Sequence, residues 1–198
     1  MSRSNDDAPI IRPARPEDAA ILAQLVNDAG EGLPLHLWEK IATAGQSGWD
    51  VGKERAAREE GSFSYRNAKV IEFGGKAAGT LIDYGIPDDP EPVPPDMPAM
   101  FVPLQELENL APGTWYVNVV AVLPQYRGLG LGSHLLAFAE ATATQLGKSG
   151  MSLIVADNNT GARRLYERQG YAQTGSRPIV KDDWKTEGRN WILMTKPI

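Results

Sequence analysis

Arg127 is followed by three alternate glycines, Gly128, Gly130 and Gly132, directly after an apolar run, Val117–Leu123, that stops at Pro124. An uninterrupted helical pattern then extends from Ser133 to about Leu146. Glycines at a strand-to-helix junction let the backbone approach a ligand closely and turn consecutive N–H groups inward. The helix they open adds the positive end of its dipole, and Arg127 adds a planar cation with paired donors. Residues of these types in this order suit a phosphate or pyrophosphate.

Spacing narrows the ligand. A nucleotide-hydrolase phosphate loop needs Lys-Ser or Lys-Thr after its last glycine, and Ser133-His134 stands there instead. A dinucleotide fingerprint needs Gly-x-Gly-x-x-Gly and an acid about 20 residues on. Here the glycines run Gly-x-Gly-x-Gly, and the next strand, Ser152–Val155, carries no acid before Asp157. Gln125-x-x-Gly128-x-Gly130 instead resembles the acyl-CoA pyrophosphate signature of the GNAT N-acetyltransferase superfamily. Downstream, Asn159-x-x-Ala162-x-x-Leu165-Tyr166-x-x-x-Gly170-Tyr171 resembles the helix that follows in that family. The close match covers about residues 115–172; the first half resembles the family only in its order of elements.

The resemblance implies an acetyl-CoA co-substrate and no metal. It places that co-substrate at Val120, Ala121 and Val122, whose main chain would pair with the pantetheine arm, and at the loop residues Gln125, Arg127, Gly128, Leu129, Gly130, Leu131, Gly132 and Ser133. Asn158, Asn159 and Tyr166 complete the implied set. Tyr166 matches the family's general acid, since a phenol stays protonated at neutral pH and can donate to a departing thiolate. The competing reading makes it one more buried aromatic of an amphipathic helix. Some relatives carry a glutamate base near position 116, where this chain has Tyr116. Tyr116 or Asn118 could hold a water that relays the amine proton. Against that stands a plain reading of Asn118 as a buried asparagine satisfied by backbone. Asn159 also suits a helix N-cap.

These residues need a scaffold. Pro9–Arg12 reads as a strand, and Pro16 opens a helix that ends near Gly30. Leu35–Ala44 and Val51–Glu60 read as short helices, and Ala68–Phe73 with Lys76–Tyr84 as a hairpin turning at Gly74-Gly75. Between Pro87 and Pro103 seven prolines accompany Asp88, Asp89, Glu91 and Asp96, the pattern of a long loop. Leu104–Leu110 is predicted as a brief helix, Thr114–Val122 as the central strand, and Tyr171–Ile179 and Trp191–Lys196 as closing strands. This order predicts an α/β (α+β) fold, a mixed central sheet with helices on both faces, as one domain over 1–198. The resemblance adds that the strands at Thr114–Val122 and Ser152–Val155 splay apart.

Composition sets limits. The chain has 198 residues, no cysteine and a net charge of −5. Disulfides and thiolate catalysis are excluded. Without a basic stripe, nucleic acid is not an expected partner. His36 and His134 stand far apart without clustered acids, so no metal site is expected. Met1–Asp7 lacks the apolar core of a signal peptide and no apolar run reaches spanning length, so a cytoplasmic protein without membrane contact is expected. A homodimer is left open. The expected activity is transfer of acetyl from acetyl-CoA to a primary amine, on a small molecule or a peptide, by direct attack in a ternary complex. The alternative is a non-catalytic acyl-CoA-binding sensor. Leu33–Trp49, Phe63–Asn67, Asp83–Phe101 and Val180–Trp191 are the segments expected to shape the acceptor site, with Trp38, Trp49, Tyr65, Tyr84, Trp184 and Trp191 as apolar walls.

Overall fold

The computed structural model describes residues 8–198, so the expectation for Met1–Asp7 lies outside the described residues. Seven strands form one mixed sheet in the order β1-β2-β3-β4-β5-β7-β6. They are β1 (Ile10–Pro13), β2 (Ala68–Phe73), β3 (Lys76–Gly85), β4 (Trp115–Val122), β5 (Gly150–Ala156), β6 (Ala172–Pro178) and β7 (Asn190–Pro197). The helices are α1 (Ala19–Ala29), α2 (Leu33–Ile41), α3 (Gly48–Ala57), α4 (Val102–Glu108), α5 (Leu131–Gln145) and α6 (Thr160–Arg168). The α+β class and mixed sheet expected from the order of elements are present. By contact density the chain divides into two compact units, 8–82 with 119–135, and 83–118 with 136–198.

In the first unit β1, β2 and β3 pair in antiparallel register, Ile11 opposite Ile71 and Val70 opposite Thr80. The periodicity of α1 places Leu22, Ala23 and Val26 inward, where they meet Trp38, Val51, Ala56, Val70 and Ile82. Trp38 is the keystone of this core. It stacks on Phe63 at 5.7 Å and meets the edge of Trp49 at 6.3 Å. A Cβ on Gly52 would lie 2.5 Å from the Trp38 ring, so α3 carries a glycine where the indole needs the space. Trp38 is therefore a packing residue and not a wall of an acceptor site. Arg12 holds the start of the sheet to the turn before α1, donating to Asp18 at 2.8 Å and to Glu72 at 2.7 Å.

In the second unit β4 pairs in parallel with β5 over Trp115–Val117 and Met151–Leu153. Strand β5 runs on to Ala156 with an antiparallel ladder to β7, and β7 pairs with β6. Thr114 and Ser152, both buried, join hydroxyls at 2.7 Å at the start of the parallel pair. Leu107, Ala111 and Leu193 form the local core, with Ile154 and Trp191 packed against it. Trp184, also expected as an acceptor wall, is buried and stacks on Trp191 at 6.1 Å.

Four helices begin two or three residues before their predicted starts: Leu33, Gly48, Val102 and Leu131 replace Leu35, Val51, Leu104 and Ser133. In each, a proline or glycine (Pro34, Gly48, Pro103, Gly132) sits inside the first turn. The first-turn N–H groups have no intrahelical partner, so a proline there loses nothing.

Candidate active site

The residues expected to form the site fall into two groups, one in each unit. The first group lies at the head of α5. After β4 the chain makes a 3-10 turn, Pro124–Tyr126, and reaches Gly128 at φ 80° and Gly130 at φ 81°. Only glycine adopts such angles without strain. No heavy atom lies within 4 Å of where a Cβ would stand on either residue. The loop therefore presents bare, exposed backbone. The carbonyl of Gly130 accepts from His134 N at 3.1 Å, so Gly130 caps α5, and Leu131 and Gly132 occupy its first turn. Gln125, Arg127 and Leu129 are exposed, whereas Leu131 is buried and anchors the helix.

Arg127 differs in part from its expected aim. Its Nε donates to the carbonyl of Val122 at 3.1 Å, tying the guanidinium back to the end of β4. The main chain of Val122 was expected to pair with the pantetheine arm along with that of Val120. Val120, Ala121 and Val122 are half-buried. The carbonyl of Ala121 lies 2.5 Å from where a Cβ on Gly79 would be, so β3 can lie against β4 here only as glycine. Leu123 N donates to Ala78 O at 2.8 Å and fixes the strand end.

The second group lies on β3, β4, α4 and α6. Strand alternation places Tyr116 opposite to Trp115 and Val117. Trp115 Nε1 donates to buried Asp83 at 2.7 Å, while Tyr116 packs on Tyr84 with ring centroids 5.4 Å apart. Tyr166 is buried on α6 beside Tyr171, with ring centroids at 6.1 Å. Burial alone pushes its phenol up to about 12. Its hydroxyl makes no hydrogen bond among the described residues. Burial holds the Tyr116 phenol well above its ordinary value, with Glu108, Tyr84 and Tyr166 as lesser causes.

Asn118 corrects the expectation of a buried, backbone-satisfied asparagine. It is exposed although it stands on β4, the middle strand of seven. Asn159 is the N-cap of α6, its Oδ1 accepting from Ala162 N at 3.2 Å, and Asn158 beside it is exposed. Asp157 accepts from Arg189 N at 2.9 Å and from both Asn190 N and Nδ2 at 3.0 Å, joining the end of β5 to the start of β7.

Sequence reasoning missed Glu108. It closes α4 and is half-buried, and burial followed by the charge of Glu91 pushes its carboxyl up to about 7. A signal for it did exist. Leu104, Leu107 and Glu108 stand at i, i+3 and i+4, so the acid occupies an inward position of an apolar stripe. Glu106, on another side of the helix, bonds Arg177 at 2.6 Å.

Comparison with known proteins decides the family. The model of the Acetyltransferase (GNAT) family matches residues 36–171, more than half of the chain. The chain belongs to the GNAT acetyltransferase family. Among solved structures, a protein described as an acetyltransferase is 25% identical, with a TM-score of 0.64 over 96% of this chain and 99% of that one. An N-acetyltransferase from Staphylococcus aureus Mu50 is 21% identical and superposes with a TM-score of 0.66 over 94% of this chain and 99% of its own. A GNAT acetyltransferase from Elizabethkingia anophelis, solved with acetyl-CoA bound, shares 16% identity and a TM-score of 0.58 over 99% of this chain and 100% of its own. These last two agree with this GNAT chain in fold. No curated protein matches it. Among the described residues of this GNAT protein, no helix is long and apolar enough to cross a membrane.

Proposed function

We propose that this GNAT protein is an N-acetyltransferase that moves an acetyl group from acetyl-CoA to a primary amine within a ternary complex. The observation that carries the reading is the bare loop at Gly128 and Gly130, where two positive-φ glycines leave open space that a side chain would fill. Acetyl-CoA supplies the activated acyl group as a thioester. The backbone of Gly128–Gly130, the first turn of α5 and the outer nitrogens of Arg127 would hold its pyrophosphate. The main-chain N–H groups of Val120 and Val122 are the donors for the pantetheine arm and the thioester oxygen. Tyr166 would hold the proton that the departing sulfur needs. Its raised pKa keeps it protonated at every physiological pH.

The fit is specific to one pyrophosphate, because the next strand ends without an acid to read a ribose. Calorimetry should give acetyl-CoA binding in the micromolar range and none for NAD or ATP. Release of free CoA with a panel of peptides, polyamines and aminoglycosides then separates catalysis from mere binding. Binding of NAD without CoA would end this reading, and CoA binding without turnover on any amine would favour an acyl-CoA sensor.

A further inference from the structure

Within the first unit the β2–β3 hairpin is tied step by step to the strand that feeds the glycine loop. Gly79 lies against the Ala121 carbonyl. One residue nearer the tip, the register shifts between Ile71 and Glu72, which leaves Ala78 as the extra residue of a bulge. Its carbonyl accepts from Leu123 N at 2.8 Å. Bulges re-aim the end of a strand and are common beside functional sites. Beyond this one, Phe73 meets Tyr126 edge to face, with ring centroids 6.3 Å apart. Tyr126 immediately precedes Arg127 and Gly128. The hairpin tip is thereby held beside the loop, and neither ring of the pair is fully buried.

Lys76 closes the hairpin opposite Phe73. Directly opposed residues share a face of the ladder, with Cβ atoms about 5 Å apart. Lys76 therefore starts from the face whose ring touches Tyr126. It is exposed and makes no hydrogen bond or ion pair among the described residues. Glu72, the acid beside Phe73, is engaged by Arg12 at 2.7 Å. Gly74 and Gly75 turn the tip at φ 57° and 71°, with nothing within 4 Å of where either would carry a Cβ. An unpaired ammonium and an aromatic pair thus stand in the open beside a phosphate loop.

We propose that the hairpin tip holds the nucleotide end of acetyl-CoA, with the Phe73–Tyr126 pair packed on the adenine and Lys76 paired with the ribose 3′-phosphate. This rests on the reading above that puts the pyrophosphate on Gly128–Gly130. In the co-substrate a single ribose separates the pyrophosphate from both groups. Aromatic side chains bind bases through their π-faces, and a lysine ammonium serves a phosphate as a point charge.

Trimmed ligands separate these contacts from a merely structural role. Calorimetry compares acetyl-CoA, its 3′-dephospho form and S-acetyl-phosphopantetheine, which lacks the whole adenosine. Lys76→Gln should weaken acetyl-CoA by about tenfold, leave the dephospho form within about twofold, and lose its effect as salt rises. Tyr126→Leu should weaken both nucleotides by about tenfold and leave S-acetyl-phosphopantetheine within about twofold. Phe73→Leu should repeat that second pattern, with thermal unfolding confirming that each variant folds. An equal loss for acetyl-CoA and its dephospho form in Lys76→Gln, or no loss, would remove Lys76 from the site. A loss in the ring variants that extends to S-acetyl-phosphopantetheine would make the aromatic pair an anchor for the loop and overturn its role at the adenine. If the native protein binds all three ligands equally well, the function reading stands and this one fails. If it binds none of them, the function reading itself fails.

Discussion

Tyr166 and Gly130 carry the sharpest tests at the scale of single residues. Tyr166→Phe keeps the ring that packs on Tyr171, so folding and acetyl-CoA binding should persist. Turnover should fall by about 10²-fold, read under conditions where chemistry limits the rate. Unchanged turnover would return Tyr166 to the core. Gly130→Val tests the loop. Because nothing crowds the position, the cost arises from a φ of 81° that a β-branched residue adopts only under strain. We expect acetyl-CoA binding to drop below detection in calorimetry, while thermal unfolding shifts by only a few degrees. Glu108 also has a consequence for stability. Its carboxyl is raised in the folded state, so the native protein binds the extra proton between the ordinary carboxylate range and about pH 7. The resulting penalty is absent at low pH and grows to on the order of 3 kcal/mol above pH 7.

At the scale of elements, Asp157 shows how a loop is fixed. Burial pushes its carboxyl up, but donors from Arg189, Asn190 and Asn158 outweigh burial and hold it below its usual range. Its contribution is present above the ordinary carboxylate pKa and disappears as pH falls through the folded value. Asp157→Ala should cost about 1–3 kcal/mol in urea unfolding at pH 7, and the difference should narrow below about pH 4. The elements themselves were largely legible. Strand β4 was legible as an apolar run ending at Pro124, the hairpin by Gly74-Gly75, and α6 by the spacing of Asn159, Ala162 and Tyr166. What was not legible followed a rule. Helix starts were placed after Pro34, Gly48, Pro103 and Gly132, residues that read as breakers but are tolerated in a first turn. Helix α4 also ends at Glu108, two residues before its expected end at Leu110. The burial of Trp38 and Trp184 and the exposure of Asn118 could not be read locally, because packing partners remote in sequence decide them.

At the scale of the molecule, charge is the lever. The net charge is −5, and Asp88, Asp89, Glu91 and Asp96 stand exposed on one proline-rich loop. That loop is tied down by Gly113 N donating to Pro87 O at 3.0 Å and by the two Asn109–Glu91 bonds, so its charges are held and not scattered. Neutralising all four should raise KM for a cationic acceptor several-fold with little change in kcat, and the effect should shrink as salt is added. An unchanged KM would make the loop a cover. The division into two compact units has a different consequence. The chain passes from one to the other between Ile82 and Asp83, Asn118 and Val119, and Leu135 and Leu136, and those points lie inside β3, β4 and α5. No linker separates them. A recombination event that exchanged either unit for a homologous one would need three simultaneous breakpoints, each within a strand or helix. The glycine loop and the tyrosines therefore belong to units that interleave along the chain, and neither can be moved as one contiguous stretch of sequence.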